Sequence, residues 1–259
     1  MSKTKPLAEK ITEMYCEEIN PKKCKKCFEK DIYILEKYQG SRERNHPQSY
    51  WHLGKNIQNG KYPRLAFIGK NSWTQKSVIE EIYPLVQCKE KFGHIYDSTS
   101  SFPHFWKNVS YQYWSAYQEI LSCLEYTPDD IFISNMSKCS INKKLGGSTD
   151  ITNILYYRHC ARIIEKEVQI VKPTHLIFFV GSRFDDIIKK MKFNYEKYRD
   201  ITDEYCKKPI NDIDVYWWHR DFFVDNEKMS MLRTRHPERA PSGFTNEVIT
   251  WIKETSIHR

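Results

Sequence analysis

The chain has 259 residues, 40 % hydrophobic and 29 % charged, which suits one large α/β core and carries no signature of disorder. Its 41 Lys and Arg against 33 Asp and Glu leave a formal net charge of +8, a balance that favours phosphate-rich partners. No apolar run approaches the roughly 18 residues that span a bilayer, and the stretch Met1 to Pro6 is polar, so neither a membrane helix nor a secretory leader is expected. A reducing, cytoplasmic setting is expected instead, in which the eight cysteines bind metal or lie buried rather than forming disulfides.

In chain order, Leu7 to Glu18 has helical periodicity, with Ile11, Met14 and Tyr15 on one face. A basic cysteine segment follows, Pro21-Lys-Lys-Cys-Lys-Lys-Cys27, and then an amphipathic stretch through Leu35. Gln39 to Tyr62 is polar, rich in Asn, Gly and His, and reads as a loop or insertion. Arg64 to Ile68 is a short apolar strand running into a loop, Gly69-Lys-Asn-Ser-Trp73. Phe105 to Leu124 reads as an aromatic-rich helix, and Asp130-Ile-Phe-Ile-Ser134 as a second strand ending at Asn135. A helix from about Ile154 to Val171 turns Ile163, Ile164, Val168 and Val171 towards a core. Pro173 stops it, and His175 to Val180 forms a third strand that ends at Gly181. Asp214 to Trp218 and Met229 to Arg233 are weaker strands, the second ending at Thr234-Arg-His-Pro237. A helix over Asn246 to Lys253 completes the pattern.

Apolar strands alternating with helices predict a mostly parallel sheet covered on both faces. In such sheets functional groups gather beyond the carboxyl ends of the strands. Three strand ends deliver Gly69-Lys70-Asn71, Asn135 and His236. Singly, an Asn after a strand is usually a turn residue and a His-Pro is usually loop punctuation. Together they supply amide donors and acceptors, a group that can orient water, and an imidazole. Those parts can break an N-glycosidic bond. A flipped base is read along its Watson–Crick edge by an amide such as that of Asn135. Negative charge on the departing base needs a donor, for which His236 is suited, and Asn71 can hold the attacking water. A base taken from its stack also needs an aromatic ring. Phe102 is the first choice for that ring and Phe105 the second, against a core-packing role for both.

The series Gly69-Lys-Asn-Ser-Trp73, Ile131-Phe-Ile-Ser-Asn135, Leu176 to Gly181 and His236-Pro237 resembles, in the same order, the motifs of the uracil-DNA glycosylase superfamily. The likeness runs from about Arg64 to the C-terminus. It implies a three-layer α/β/α fold with a central, mostly parallel sheet of four to five strands. The whole chain, 1–259, would then form one domain, with an N-terminal helical and cysteine segment (about 1–60) packed on it. It also implies roles. Asn71 stands at the water-activating position, Asn135 at the base-reading one and His236 in the last motif, whose following loop wedges into the duplex through Arg239 or Ala240. Gly69, Lys70 and Trp73 would line the substrate pocket. Ser72-Trp73 replaces the usual proline-glycine or proline-tyrosine pair, so the pocket wall should differ and plain uracil specificity is in question. Lys70 is the one residue positioned to add a lyase step to an otherwise monofunctional enzyme.

Cys24-Lys-Lys-Cys27, Cys139 and Cys160 resemble the four ligands of the iron–sulfur branch of that superfamily. Four thiolates suit a [4Fe–4S] cluster or a zinc ion, and the resemblance favours the cluster, in a structural role. Cys16 could compete as a ligand; Cys88, Cys123 and Cys206 have no evident partners. Basic clusters at residues 22–26, at Lys143-Lys144 and from Arg233 to Arg239 are candidate DNA-backbone contacts, with Arg233, Arg235 and Arg239 the strongest. The expected protein is therefore a monomeric DNA glycosylase acting on a flipped uracil or modified pyrimidine. Large insertions (Gln39 to Tyr62, Val78 to Thr99, Phe193 to Asn211) leave room for a hypermodified cytosine, as in glycosylases that attack modified phage DNA. The alternative from another class is a non-catalytic sensor of modified or damaged DNA.

Overall fold

A computed structural model describes residues 5–19, 50–61, 64–71, 84–86, 95–96, 102–107, 112–138, 155–191, 200–202, 217–224, 227–240 and 243–256. The strands are β1 (His52–Leu53), β2 (Leu65–Asn71), β3 (Pro84–Val86), β4 (Ile95–Tyr96), β5 (Ile131–Ser137), β6 (His175–Phe179), β7 (Asp200–Thr202), β8 (Trp218–Val224) and β9 (Glu227–Thr234). The helices are α1 (Leu7–Glu18), α2 (Lys55–Gln58), α3 (Phe102–Lys107), α4 (Gln112–Cys123), α5 (Leu155–Val171), α6 (Asp185–Ile188) and α7 (Phe244–Ser256).

Among the described residues seven strands form one sheet in the order β1-β5-β2-β6-β9-β8-β7, while β3 and β4 pair separately. The pairs β5–β2, β2–β6 and β6–β9 are parallel; β1–β5, β9–β8 and β8–β7 are antiparallel. The architecture is α/β, but the sheet is mixed rather than a mostly parallel one of four to five strands. The parallel strands β2, β5 and β6 are the part that periodicity exposes most plainly, because they are covered on both faces and read as apolar runs, whereas β9 shows more weakly. The flanking strands are short or amphipathic. β1 has two residues, and β8 begins at Trp218, where the expected strand over Asp214 to Trp218 ends; residues 203–216 lie outside the described set.

Along β2 the side chains alternate between two cores. Ala66 and Ile68 join one with α1, α5 and α6, through residues including Ile11, Tyr15, Ile164 and Ile187. Leu65 and Phe67 join the other with α3, α4 and α7, through Phe102, Trp114, Tyr117, Val248 and Ile252. The helices divide this way because connections between parallel strands keep one hand. The chain steps from β2 to β5 on one side, then returns past β2 to β6 on the other. Helices α3 and α4 therefore cover one face and α5 the opposite one. The expected α5 core residues Ile163, Ile164, Val168 and Val171 are all buried. Lys172 ends that helix in the left-handed region (φ 50°), and Pro173 cannot continue it.

Part of the stretch read as an insertion is structural. Trp51 N–H donates to the Ile133 carbonyl (2.8 Å) and Gly54 N–H to that of Ile131 (2.9 Å), hanging β1 on β5. His52 Nε2 lies 2.6 Å from the Pro128 carbonyl, and the Asn56 amide donates to Asp130 (2.7 Å). Glycine is required at position 54, where a Cβ would collide with the Asp129 and Pro128 carbonyls. A two-residue strand leaves no period to read in the sequence.

Under β5, on the α1/α5 face, lies a buried charged network. Lys138 (2 % side-chain exposure) pairs with Glu167 (0 %) at 2.6 Å. Lys138 also donates to the Ser134 hydroxyl, and the Tyr15 hydroxyl donates to Glu167. Burial, with the Glu167 carboxylate second, pushes the Tyr15 pKa well above its usual value, so the phenol stays protonated and can donate. Nearby, Lys166 reaches Glu18 at 2.6 Å. These contacts fasten α1 to α5 and to the end of β5.

Candidate active site

The carboxyl ends of the four parallel strands are level. Gly69 is in register with both Asn135 and Phe179, and Phe179 with Thr234. The Gly181 N–H, from a glycine at φ +81°, donates to the Thr234 carbonyl (2.9 Å) and ties the last two ends together. Counted along the sheet, the parallel strands come second, first, third and fourth in chain order. Beyond β2 the chain leaves towards α3 and α4, and beyond β6 it leaves towards α6, on the other face. The crevice between those two strand ends is the topological switch point at which open α/β sheets bind ligands.

Asn135 lies within β5, two residues before its end, and is 5 % exposed. Its partners fix the amide: Nδ2 donates to the Ser134 carbonyl (3.2 Å) and Oδ1 accepts from the Trp51 indole Nε1–H (2.5 Å). Gly69 makes this position possible, because a Cβ there would collide with the Asn135 amide and with the Tyr113 hydroxyl. Tyr113 comes from the first turn of α4. Its hydroxyl accepts from Tyr117 (2.6 Å), and its ring stacks on His236, with centroids 5.0 Å apart and planes at 21°. Burial raises the Tyr113 pKa far above its usual range, so its hydroxyl remains a neutral donor. His236 follows β9, and its Nδ1 stands 3.8 Å from Glu238.

Gly69, Asn135 and His236, read from separate strand ends, are thus brought together through Tyr113. Neither Tyr113 nor Trp51 is evident from the sequence: the first is one of several aromatics on a helix, and the second falls in the apparent insertion. Asn71 is the last residue of β2, paired with Ser137, so Gly69-Lys70-Asn71 extends the strand rather than forming a loop. Strand alternation puts Lys70 on the α1/α5 face, opposite Tyr113. Phe102 is 6 % exposed, stacked on His52 (4.1 Å, 22°) and packed near Trp106 and Trp114. Arg233 differs from the expected DNA contact. It is 3 % exposed and bound by Asp185 through Nε (2.6 Å) and Nη2 (2.8 Å), and Asp185 also accepts from the Trp218 indole (2.9 Å). It holds β9 to α6 instead. Arg235 is half-buried at the end of β9, and Arg239 ends the single turn Pro237–Arg239. Trp73 and the side chains of Phe105, Arg239 and Asn71 lie outside the described residues.

Of the four expected metal ligands, Cys160 is buried on α5, one helical face with Ile164 and Glu167; Cys24, Cys27 and Cys139 lie outside the described residues. Among the described residues no three His, Cys, Asp or Glu side chains form a metal-binding group. The Lys138–Glu167–Tyr15 network pins α1, the end of β5 and the Cys160-bearing helix α5 together. Among the described residues no helix is long and apolar enough to cross a membrane. The sequence matches no model of a known protein family and no curated protein.

Two predictions arise here. Gly69→Ala should cost about 1–3 kcal/mol in a urea titration, because the methyl must displace a hydroxyl and an amide that are both packed. Tyr113→Phe in the same chain should return part of that loss; no recovery would mean that the hydroxyl is not what the methyl meets. His52 is held neutral by burial, which lowers its pKa from 6.5. The unfolded chain therefore takes up this proton first. Its contribution is complete above about pH 6.5 and declines as pH falls towards the lower folded value. Urea titrations from pH 8 to 5 should show a shallower decline in His52→Gln than in the wild type.

Proposed function

We propose that the protein is a DNA glycosylase that hydrolyses the N-glycosidic bond of a flipped uracil or modified pyrimidine. The observation that carries this reading is the link Tyr113 makes at the switch point of the sheet, its hydroxyl lying over Gly69 beside the Asn135 amide and its ring stacked on His236. Asn135 is buried in the strand, with its amide held from two sides, as a residue that reads a base edge must be. His236 is positioned by the ring beneath it and supplies an N–H to the base as its glycosidic electrons depart. Asn71 holds water through its side-chain oxygen for attack on the anomeric carbon. The water oxygen bonds to that carbon, and its proton leaves to solvent or to the departing base. With Lys70 on the opposite face of β2, no Schiff-base step is assigned, and the enzyme is monofunctional. Trp73 walls the pocket, Phe102 supports it or stacks on the base, and Arg235 and Arg239 meet the phosphate backbone. The net charge of +8 supports a DNA partner.

Cys24, Cys27, Cys139 and Cys160 would hold a [4Fe–4S] cluster, with zinc as the alternative occupant. That group would supply a structural clamp rather than a reacting centre. The reading is tested by measuring base release from duplexes carrying uracil, hydroxymethylcytosine or glucosylated cytosine, for the wild type, Asn71→Ala and His236→Ala. Loss of release in both folded variants supports the site. A wild type that binds these duplexes and releases no base is a sensor.

A further inference from the structure

Resting on the glycosylase reading, we infer that Tyr113 is a plug: in the free protein its phenol fills the recess at the end of β2, and a base enters only as the hydroxyl withdraws from Gly69. The space a Cβ would take on Gly69 is already closed by the Tyr113 hydroxyl and the Asn135 amide. The same phenol ring covers the His236 imidazole, with centroids 5.0 Å apart and planes at 21°. A planar ring with an oxygen at its rim thus touches both groups that the proposed substrate, another planar ring edged with oxygens, has to reach. The two rings cannot share that place.

What holds the plug in place is Tyr117. Its hydroxyl donates to that of Tyr113 at 2.6 Å, and its own ring is fully buried, meeting Phe67 and Phe179 edge-on at 4.9 and 5.4 Å. The latch is therefore anchored in the core, but the plug is not. Tyr113 is only partly buried, at the margin of that core, and is the second residue of α4. The first turn of a helix lacks backbone partners for its N–H groups, and helix ends open locally at the least cost. The near-parallel planes let the phenol slide across the imidazole, so His236 keeps its support as the hydroxyl leaves Gly69. A site whose open form is a minor state binds its ligand more weakly in proportion to the fraction open. Loosening the closed form should accordingly tighten binding, whereas loosening a fixed wall of the pocket should not.

The test uses Tyr117→Phe, which deletes the latch from within the core, and Tyr113→Phe, which deletes the oxygen over Gly69. Binding of free uracil is followed by tryptophan quenching, with urea midpoints as the control for folding. Both variants should bind uracil at least about threefold more tightly than the wild type, the change expected when the closed form loses one net hydrogen bond. KM for base release from a uracil duplex should fall in Tyr117→Phe. Equal or weaker uracil binding in the folded variants, or no binding in any of the three proteins, overturns the inference. If no duplex loses a base, the glycosylase reading fails and the plug is judged on free uracil alone. Tighter binding in both variants then sustains it; equal binding, or none, overturns it.

Discussion

Replacing Lys138 with methionine should destabilise the fold by about 3–5 kcal/mol, the usual consequence of leaving a buried charge without its partner. The substitution removes the cation 2.6 Å from Glu167, whose side chain has no exposure, and leaves the carboxylate with two hydroxyls, those of Tyr15 and Ser134. Glu167 Oε2 already has no hydrogen-bond partner among the described residues, so little further compensation is at hand. Removing both charges should be far milder, because a well-packed apolar pair needs no solvation. Lys138→Met with Glu167→Leu should therefore recover most of the loss, and the two single changes should be strongly non-additive. Urea unfolding of the four proteins measures this. A cost below about 1 kcal/mol for Lys138→Met would mean that the pair is exposed to solvent rather than buried under α1.

The second large effect concerns chemistry. His236→Ala should lower the rate of base release by about 100- to 1000-fold, the effect of removing one donor from a developing anion, or about 2.7–4 kcal/mol. The loss should fall on kcat more than on KM, because charge on the base appears only as the bond breaks. On the glycosylase reading Asn135→Ala should affect both parameters, since its amide would meet the base before and during cleavage. The double variant should be less impaired than the product of the singles, because Tyr113 couples the two residues. Single-turnover rates on a uracil duplex, with circular dichroism as the folding control, separate these outcomes. An effect confined to KM would assign His236 to DNA binding.

Much of the frame is legible in the sequence, for identifiable reasons. The parallel strands β2, β5 and β6 are continuous apolar runs, and α1 and α5 keep helical spacing over 12 and 17 residues, so each appears with the right face buried. The positions of Gly69 and Asn135 follow from those runs, and that of His236 from the weaker strand over Met229 to Arg233. What escapes notice depends on tertiary contact. β1 pairs over two residues and has no period, which hides Trp51 inside apparent loop. Tyr113 is one of six aromatics in residues 105–117, and only its seat over Gly69 distinguishes it. Arg233 reads as part of a basic motif but alternation along β9 turns it to the half-buried Asp185. Nothing local to Lys138 announces its partner Glu167, 29 positions away.

The most direct test of the central claim is release of free base by the wild-type protein from a duplex containing a single uracil, followed by chromatography of the freed base and alkali cleavage of the strand. The glycosylase account predicts free uracil together with a strand that breaks only after alkali treatment. A duplex that is bound and recovered intact, with uracil and the modified cytosines alike, would contradict it and leave a DNA sensor in its place.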